Sequence, residues 1–173
     1  MWTKKEAVTL AAVLENREDR AFMQGWLIKQ YNSPLISFTV NMPGPIKLNT
    51  LSRKIYNEGI LRLEQILSIE KIPINTAIKL EKITGLEAFY SLSAEAIMLK
   101  ELTCKLEDSD DVGRLFDLDV IGVDGIPLSR RNLSLPMRRC LICDQPAVYC
   151  ARSRFHSVQD LQLKIADIVE ALL

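Results

Sequence analysis

Residues 112–123 read VGRLFDLDVIGV, and this stretch predicts the central strand of the fold. Successive side chains of a β-strand point to opposite faces, so Asp117 and Asp119 would share one face and the apolar residues between them the other. We therefore predict a strand from Leu115 to Val123. One face of this strand would pack on a core, and the other would carry two carboxylates.

The N-terminal third predicts a helix, a strand and a second helix. Apolar residues recur at three- and four-residue steps from Thr3 to about Tyr31, which indicates a helix that ends before Pro34. Residues 35–40 are rich in β-branched and aromatic side chains and predict a strand, followed by a stiff turn at 41–45. A second helix is predicted from Thr50 to about Ser68, although Gly59 weakens it.

The middle of the chain is less clear. Residues 72–84 fit neither pattern well, residues 88–92 are compatible with a strand, and Ser93 is a candidate cap for a short helix. Apolar residues alternate with Thr103 and Lys105 over 102–106, which predicts a strand. The acidic loop that follows would join this strand to residues 115–123 as an antiparallel pair.

The C-terminal part predicts a hairpin and a closing helix. Asp124-Gly125 is a turn signal, and residues 139–143 are expected to form a return strand. Ser157 would cap a helix that runs to Leu173. Together these elements predict one α+β domain spanning residues 1–173, with a small mixed or antiparallel sheet flanked by helices. The buried stripe of the last helix would be Leu161, Ile165, Ile168 and Leu172.

Composition excludes several classes of partner. Apolar residues make up 48% of the chain, charged residues 25%, and the formal net charge is zero, so no overall field attracts nucleic acid or a membrane surface. No apolar run approaches the roughly 18 residues of a membrane span. We expect no signal peptide, a cytoplasmic location, and hence reduced cysteines.

The two aspartates suggest a site for a hard cation. Carboxylate oxygens bind Mg²⁺ and leave positions for substrate phosphates, so Asp117 and Asp119 are candidate metal ligands and catalytic residues. The alternative is a structural network with nearby arginines. We favour Mg²⁺, because the apolar opposite face requires a packed strand that holds the acids in place.

Arginines are concentrated around this strand. Seven of the eleven arginines lie between residues 112 and 156, and no lysine lies between Leu106 and Leu163. The planar guanidinium donates two parallel hydrogen bonds to phosphate, so the cluster favours recognition over a solvated basic surface. The seven cannot all face one ligand, because only one arginine of each adjacent pair points inward if the pairs lie on strands. The candidates for phosphate binding are Arg114, Arg130, Arg138, Arg139, Arg152 and Arg154.

The single histidine and three of the cysteines allow two interpretations. His156 is a candidate general base or phosphate ligand, and a structural role fits it equally well. Cys140, Cys143 and Cys150 could instead join His156 as ligands of Zn²⁺. We rank zinc below Mg²⁺, because thiols in apolar surroundings more often pack as small hydrophobic groups.

Several motifs occur together along most of the chain. They are Arg17-Glu18-Asp19-Arg20 with Gln24, residues 37–47 (SFTVNMPGPIK), residues 113–120 (GRLFDLDV), Ser129-Arg130, residues 139–143 (RCLIC) and residues 150–156 (CARSRFH). In this combination the chain resembles the apo-citrate lyase phosphoribosyl-dephospho-CoA transferases, also called holo-citrate lyase synthases.

The resemblance implies a reaction and a fold. A member of this family would move phosphoribosyl-dephospho-CoA from its triphosphate precursor to a serine of the citrate lyase acyl carrier subunit, releasing diphosphate. The fold would be nucleotidyltransferase-like, with Asp117 and Asp119 as the acidic pair. Arg114 stands after Gly113 where that wider fold usually has serine, and no third acid is evident from the sequence.

Two other functions are compatible with the same residues. The chain could bind the coenzyme-like ligand or the carrier subunit without chemistry, or it could be a zinc-stabilised interaction domain. The acidic pair favours the enzyme, because a pure phosphate binder gains nothing from two nearby carboxylates unless a cation lies between them and the phosphate.

Overall fold

A computed structural model describes residues 7–171 and contains a five-stranded antiparallel sheet with helices on both faces. The strands are β1 Leu35–Val40, β2 Ile74–Lys82, β3 Gly85–Leu92, β4 Phe116–Ile121 and β5 Pro127–Leu128, in the spatial order β2-β3-β1-β4-β5. The helices are α1 Leu10–Tyr31, α2 Thr50–Ile69, α3 Ala96–Glu107, α4 Ala147–Ser153 and α5 Val158–Glu170. The predicted α+β class is confirmed, and every strand pair is antiparallel.

The register of the sheet gathers polar residues on one face. Ser37 of β1 lies opposite Asp119 of β4, and Thr39 lies opposite Asp117. On its other side Thr39 faces Glu87 of β3. Opposed residues of an antiparallel pair point to the same side of the sheet, so three acids from two strands share one face.

The other face of the sheet carries the larger core. Phe38 stacks on Tyr56 of α2 with ring centroids 5.4 Å apart and meets Phe116 edge-on at 5.7 Å. Apolar residues of α2, α3 and α5 complete this cluster. The packing depends on Gly59, because a Cβ there would lie 2.8 Å from Phe38 Cε1 and 3.2 Å from Phe116 Cδ1.

Gly59→Ala is therefore expected to destabilise the protein by about 1–3 kcal/mol, the usual cost of overpacking a core. The matched control is Gly25→Ala on α1, where an added Cβ meets nothing within 4 Å. That change should instead stabilise, by up to about 1 kcal/mol, through helix propensity. Urea unfolding of both variants measures the difference, and equal stability would contradict the close approach of α2 to the sheet.

Helix α1 covers only part of the polar face. Leu27 and Ile28 pack on Leu35, Phe89 and Ile121 to form a second, smaller cluster. Leu35 and Ile121 lie at one end of this face, Glu87 and Asp117 lie towards the other end, and Phe89 and Asp119 lie between them in the row of Ser37. The carboxylates are thus left beside α1 in an open polar region.

Several sequence predictions are confirmed. Strand β1 has the predicted bounds, and helix α2 ends one residue beyond the prediction. Gly125, at φ +77°, turns the chain between β4 and β5 as its turn signal indicated. The Ser157 side chain accepts a hydrogen bond from Asp160 N at 3.0 Å and caps α5.

Other predictions about the elements are wrong. Residues 102–106 belong to α3 and do not form a strand; their apolar residues continue a helical face that begins at Leu99. Residues 139–143 contribute a single bridge, between Arg139 and Pro146, in place of a return strand. Glu95, not Ser93, precedes the first turn of α3.

Two N-terminal and central boundaries also differ. Thr9 caps α1, so residues 7–9 are not helical, and the predicted start at Thr3 lies outside the described residues. The segment 72–84, which had no clear pattern, mostly forms β2 at the edge of the sheet. Across residues 7–171, no helix combines the length and apolarity that a membrane crossing requires.

Candidate active site

A polar cavity of about 220 Å³ lies between the sheet and α1, at the end of β4 that carries Asp117. Asp117 lines this cavity and keeps 45% of its side-chain exposure. Its carboxylate accepts hydrogen bonds from Thr39 Oγ1 at 3.4 Å and from Arg138 at 3.2 Å. Asp119 is also accessible to solvent. Neither carboxylate is sealed by salt bridges, so both can reach a ligand.

Side chains from α3 fix the open edge of β4. Glu107 accepts the Leu118 N–H at 3.0 Å, and Lys100 donates to the Leu118 carbonyl at 3.3 Å. Arg138 continues along this edge with a 2.7 Å hydrogen bond to the Phe116 carbonyl. The strand that carries the acids is therefore held on both sides, by β1 and by these three side chains.

The surroundings of Asp119 disfavour its charge. Although the carboxylate reaches solvent, neighbouring protein atoms partly desolvate it and raise its pKa, and the negative charge of Asp117 adds to the effect. Lys100 opposes both influences. A bound cation would relieve the repulsion between the two aspartates.

A pH-dependent gain in stability should follow from Asp119→Asn. The folded-state pKa lies above the ordinary value of 3.8, so the penalty of ionising this carboxyl is absent below about pH 3.8 and complete only above the folded pKa. Without divalent ions, the variant should have the higher Tm at pH 7, and the difference should vanish near pH 3. Thermal unfolding across this range tests it against Asp167→Asn, an exposed aspartate of α5. A Tm gain independent of pH would contradict the explanation.

Glu87 lines the same cavity as Asp117. Its side chain is only 2% exposed, and Oε1 accepts hydrogen bonds from Arg20 at 2.6 and 2.9 Å and from Asn16 at 2.7 Å. Within the described residues, Glu87 Oε2 and Asn16 Oδ1 are buried without a hydrogen-bond partner. Unpaired buried oxygens are costly, and a cation or a donor on a ligand would satisfy them.

Cationic side chains surround the acids. Arg17, Arg20 and Lys47 line the polar cavity, and Arg138 borders Asp117. Lys47 donates to the Met42 carbonyl, and burial lowers its pKa. The region thus combines carboxylates that can bind a cation with cationic side chains that can donate hydrogen bonds to several phosphate oxygens.

The six arginines predicted from the sequence differ in how close they lie to the acidic pair. Arg138 alone among them contacts an aspartate of the pair. Arg114 donates to the Cys140 carbonyl and pairs with Asp111, and Arg130 pairs with Glu107 and Asp108 at 2.7 Å. The remaining three lie farther along the chain: Arg139 and Arg152 are exposed, and Arg154 lines a second cavity.

The second cavity is larger and mainly apolar. It measures about 460 Å³ and lies between α4, α5 and the turn after β1. Its apolar lining includes Leu141, Ala147, Leu161 and Ile165. Asn41 lines both cavities, so the two adjoin at the end of β1. A ligand with a polyphosphate at one end and an apolar body at the other would fit this pair.

Three cysteines and the histidine converge beside the second cavity. One ligand atom from each of Cys140, Cys143, Cys150 and His156 lies within 4.8 Å of all the others. The Cys143 and Cys150 sulfurs are 3.6 Å apart, and His156 Nε2 is 3.3 Å from Cys143 Sγ. This Cys₃His cluster can hold a metal such as zinc, and it places His156 among thiols.

Sequence reasoning missed Glu87 and Asn16 and did not assign Arg17, Arg20 or Lys47 to the site. One signal was available for Glu87, because a single acid stands within the apolar run 86–90. An acid in such a strand needs a partner, and buried charges are paired or bind cations. No comparable local signal marks Asn16.

Comparisons with known proteins agree over nearly the whole chain. A family model described as apo-citrate lyase phosphoribosyl-dephospho-CoA transferase matches residues 8–172. A probable apo-citrate lyase phosphoribosyl-dephospho-CoA transferase of Vibrio cholerae is 42% identical over 163 residues, covering 94% of this chain and 92% of its own. The transferase of Citrobacter koseri is 38% identical over 169 residues, covering 98% and 90%. That of Escherichia coli O157:H7 is 41% identical over 155 residues, covering 90% and 85%.

Proposed function

We propose a function from one premise: the chain belongs to the apo-citrate lyase phosphoribosyl-dephospho-CoA transferase family. It is a transferase that acts on apo-citrate lyase, and the observation that carries the assignment is the family match over residues 8–172. In the proposed reaction, a serine oxygen of the acyl carrier subunit attacks the α-phosphorus of the triphosphate precursor. The bond to the bridging oxygen breaks, diphosphate leaves with its electron pair, and the serine proton passes to a base.

The acids of the polar cavity fit a hard cation. Asp117 and Asp119 offer accessible carboxylate oxygens on one face of β4, and the unpartnered Glu87 Oε2 adds a negative donor that shares the polar cavity with Asp117. We assign Mg²⁺ to these residues, since it prefers oxygen ligands and is usually held by few carboxylates together with substrate phosphates. The ion would neutralise negative charge on the triphosphate.

The cationic side chains around the polar cavity would bind the leaving diphosphate. Arg17, Arg20, Lys47 and Arg138 are placed around the acids, and fixed cations stabilise charge that develops on a departing phosphate. Of the arginines predicted from the sequence, we therefore assign Arg138 to this end of the ligand. We propose that Arg114 and Arg130 support it by fixing the segments on either side of β4.

The apolar cavity would receive the dephospho-CoA part of the ligand. Its volume and apolar walls suit an adenine ring or a pantetheine arm, which are less polar than the triphosphate. Arg154 lines this cavity and can contact the internal diphosphate of the coenzyme-like group. Arg139 and Arg152 lie on the exposed surface nearby, where the acyl carrier subunit would approach.

The identity of the base stays a prediction. The sequence nominated His156, whose Nε2 instead contacts a cysteine sulfur 3.3 Å away. The pH dependence of the transfer rate in His156→Gln would test it. If His156 is the base, the variant should lose the fall in rate at low pH that its protonation causes, and if His156 is structural, the shape of the profile should not change.

Mass spectrometry tests the function directly. Incubation with the triphosphate precursor, Mg²⁺ and the apo acyl carrier subunit should increase the mass of the subunit by one phosphoribosyl-dephospho-CoA group. A carrier subunit with its acceptor serine changed to alanine is the control and should gain nothing. Binding of both substrates with no mass gain would favour the non-catalytic binding module instead.

A further inference from the structure

We propose that Cys140, Cys143, Cys150 and His156 bind one structural Zn²⁺ ion, which fixes the segment between β5 and α5. The inference concerns a metal separate from the Mg²⁺ assigned to the polar cavity. It rests on donor chemistry and spacing within residues 134–157, and it is independent of the reaction proposed above except that a zinc-bound His156 would not serve as its base.

The spacing of the donors matches tetrahedral zinc. With Zn–S bonds of about 2.3 Å and a tetrahedral angle, two sulfur ligands lie about 3.8 Å apart, and a sulfur and a nitrogen about 3.6 Å apart. The observed Cys143–Cys150 sulfur separation is 3.6 Å, and Cys143 Sγ lies 3.3 Å from His156 Nε2. All four cysteines of the chain are free thiols, and the fourth, Cys104, is buried elsewhere in α3.

The number and kind of ligands point to a structural ion. Three sulfur donors and one imidazole saturate a four-coordinate site, which leaves no position for water or substrate. Thiolate ligands also select zinc over Mg²⁺, which prefers oxygen. We therefore expect the cysteine–histidine cluster to bind zinc and the acidic pair to bind Mg²⁺, with neither ion replacing the other.

The segment has little else to hold it in place. Its regular structure consists of the seven-residue helix α4, a short 3₁₀ turn and one isolated bridge. Met137, Tyr149 and Phe155 are more than half exposed, so apolar burial stabilises it weakly. Small units without a sufficient core are commonly held together by a metal.

The cluster is linked to the polar cavity by short connections. The Cys140 carbonyl accepts a hydrogen bond from Arg114, which lies two residues before the start of β4. Arg138 stands two residues before Cys140 and contacts Asp117. Ala147 N donates to the Arg138 carbonyl at 2.8 Å, on the return of the same loop. Fixing the cysteines thus fixes the backbone that presents Arg138 to the acidic pair.

Metal analysis of the purified chain tests the proposal. Protein produced in zinc-replete medium, kept reduced and never exposed to chelator should contain about one zinc per chain. Cys143→Ser and His156→Ala should each lower the zinc content at least severalfold, and Cys104→Ala should keep it. Asp117→Asn should also keep it, because that change touches only the proposed Mg²⁺ site.

A second measurement covers variants that fail to fold. Wild-type protein reconstituted with Co²⁺ should show thiolate-to-cobalt charge-transfer absorption and the intense visible bands of tetrahedral coordination. Removal of zinc with a strong chelator should lower the Tm, and added Zn²⁺ should restore it. Wild-type protein that neither contains zinc nor takes up Zn²⁺ or Co²⁺ when reduced would overturn the proposal. So would a stable Cys143–Cys150 disulfide in protein purified without oxidant.

Discussion

Asp117→Asn is expected to reduce transfer of the prosthetic group by about 10³-fold or more and to leave the fold intact. The change removes one negative charge from the proposed Mg²⁺ site and keeps a side chain of the same shape. Its amide oxygen can still accept the hydrogen bond from Arg138 that Asp117 accepts at 3.2 Å. Removing even one neutral donor that stabilises a transition state costs 10²–10³-fold, and losing a metal-binding charge should cost at least as much.

The control for this variant is Asp111→Asn. Asp111 lies near the same strand, is 59% exposed, and pairs with Arg114 across the surface, where ion pairs contribute little. Its transfer rate should stay within about twofold of wild type. Rates come from mass spectrometry of the carrier subunit, and thermal unfolding confirms that each variant is folded. A fully active Asp117→Asn enzyme would remove Mg²⁺ from the proposed mechanism.

The position of the acidic pair could be predicted because the relevant information is local. Period-two alternation from Leu115 onward places Asp117 and Asp119 on one face, whatever the strand pairs with. The same rule failed at residues 102–106, where alternation and helical spacing coincide. There Leu102 and Leu106 lie four residues apart on one face of α3, and their burial against the core decides the structure.

The rest of the site depends on contacts that local patterns do not contain. Glu87 and Asp117 meet because both strands pair with β1, and no sequence spacing encodes that order. Asn16 is brought to Glu87 from 71 positions away by the packing of α1. The arginine cluster did not distinguish between individual side chains: Arg130 pairs with Glu107 at the end of α3, and Arg138 pairs with Asp117.

The cysteines show how spacing alone underdetermines a metal site. Cys140 and Cys143 have the separation common in zinc sites, yet nothing in the sequence required Cys150 and His156 to face them. The structure supplies this through the short helix α4, which returns Cys150 towards the first pair. The ranking of Mg²⁺ above zinc treated the two ions as alternatives, whereas we propose them for two separate groups of residues.

Glu87→Gln should lower transfer by about 10²-fold and raise the Mg²⁺ concentration needed for half-maximal rate. The variant loses the negative charge of Glu87, which would be needed either to position Arg20 or to bind Mg²⁺. If Glu87 only positions Arg20, its loss should weaken binding of the precursor and leave the Mg²⁺ requirement unchanged. If its unpartnered Oε2 contributes to the metal site, the Mg²⁺ requirement should rise even at saturating precursor.

A matched acid separates this effect from general destabilisation. Glu64 also accepts hydrogen bonds from a cation and a neutral donor, Lys79 and Tyr90, both at 2.7 Å, but it lies outside the polar cavity. Glu64→Gln should keep both the rate and the Mg²⁺ requirement close to wild type. An unchanged Mg²⁺ requirement in Glu87→Gln, with a slower rate, would limit Glu87 to positioning Arg20. Binding of Mg²⁺ would then require only Asp117 and Asp119, the two acids that lie two residues apart on the same face of β4.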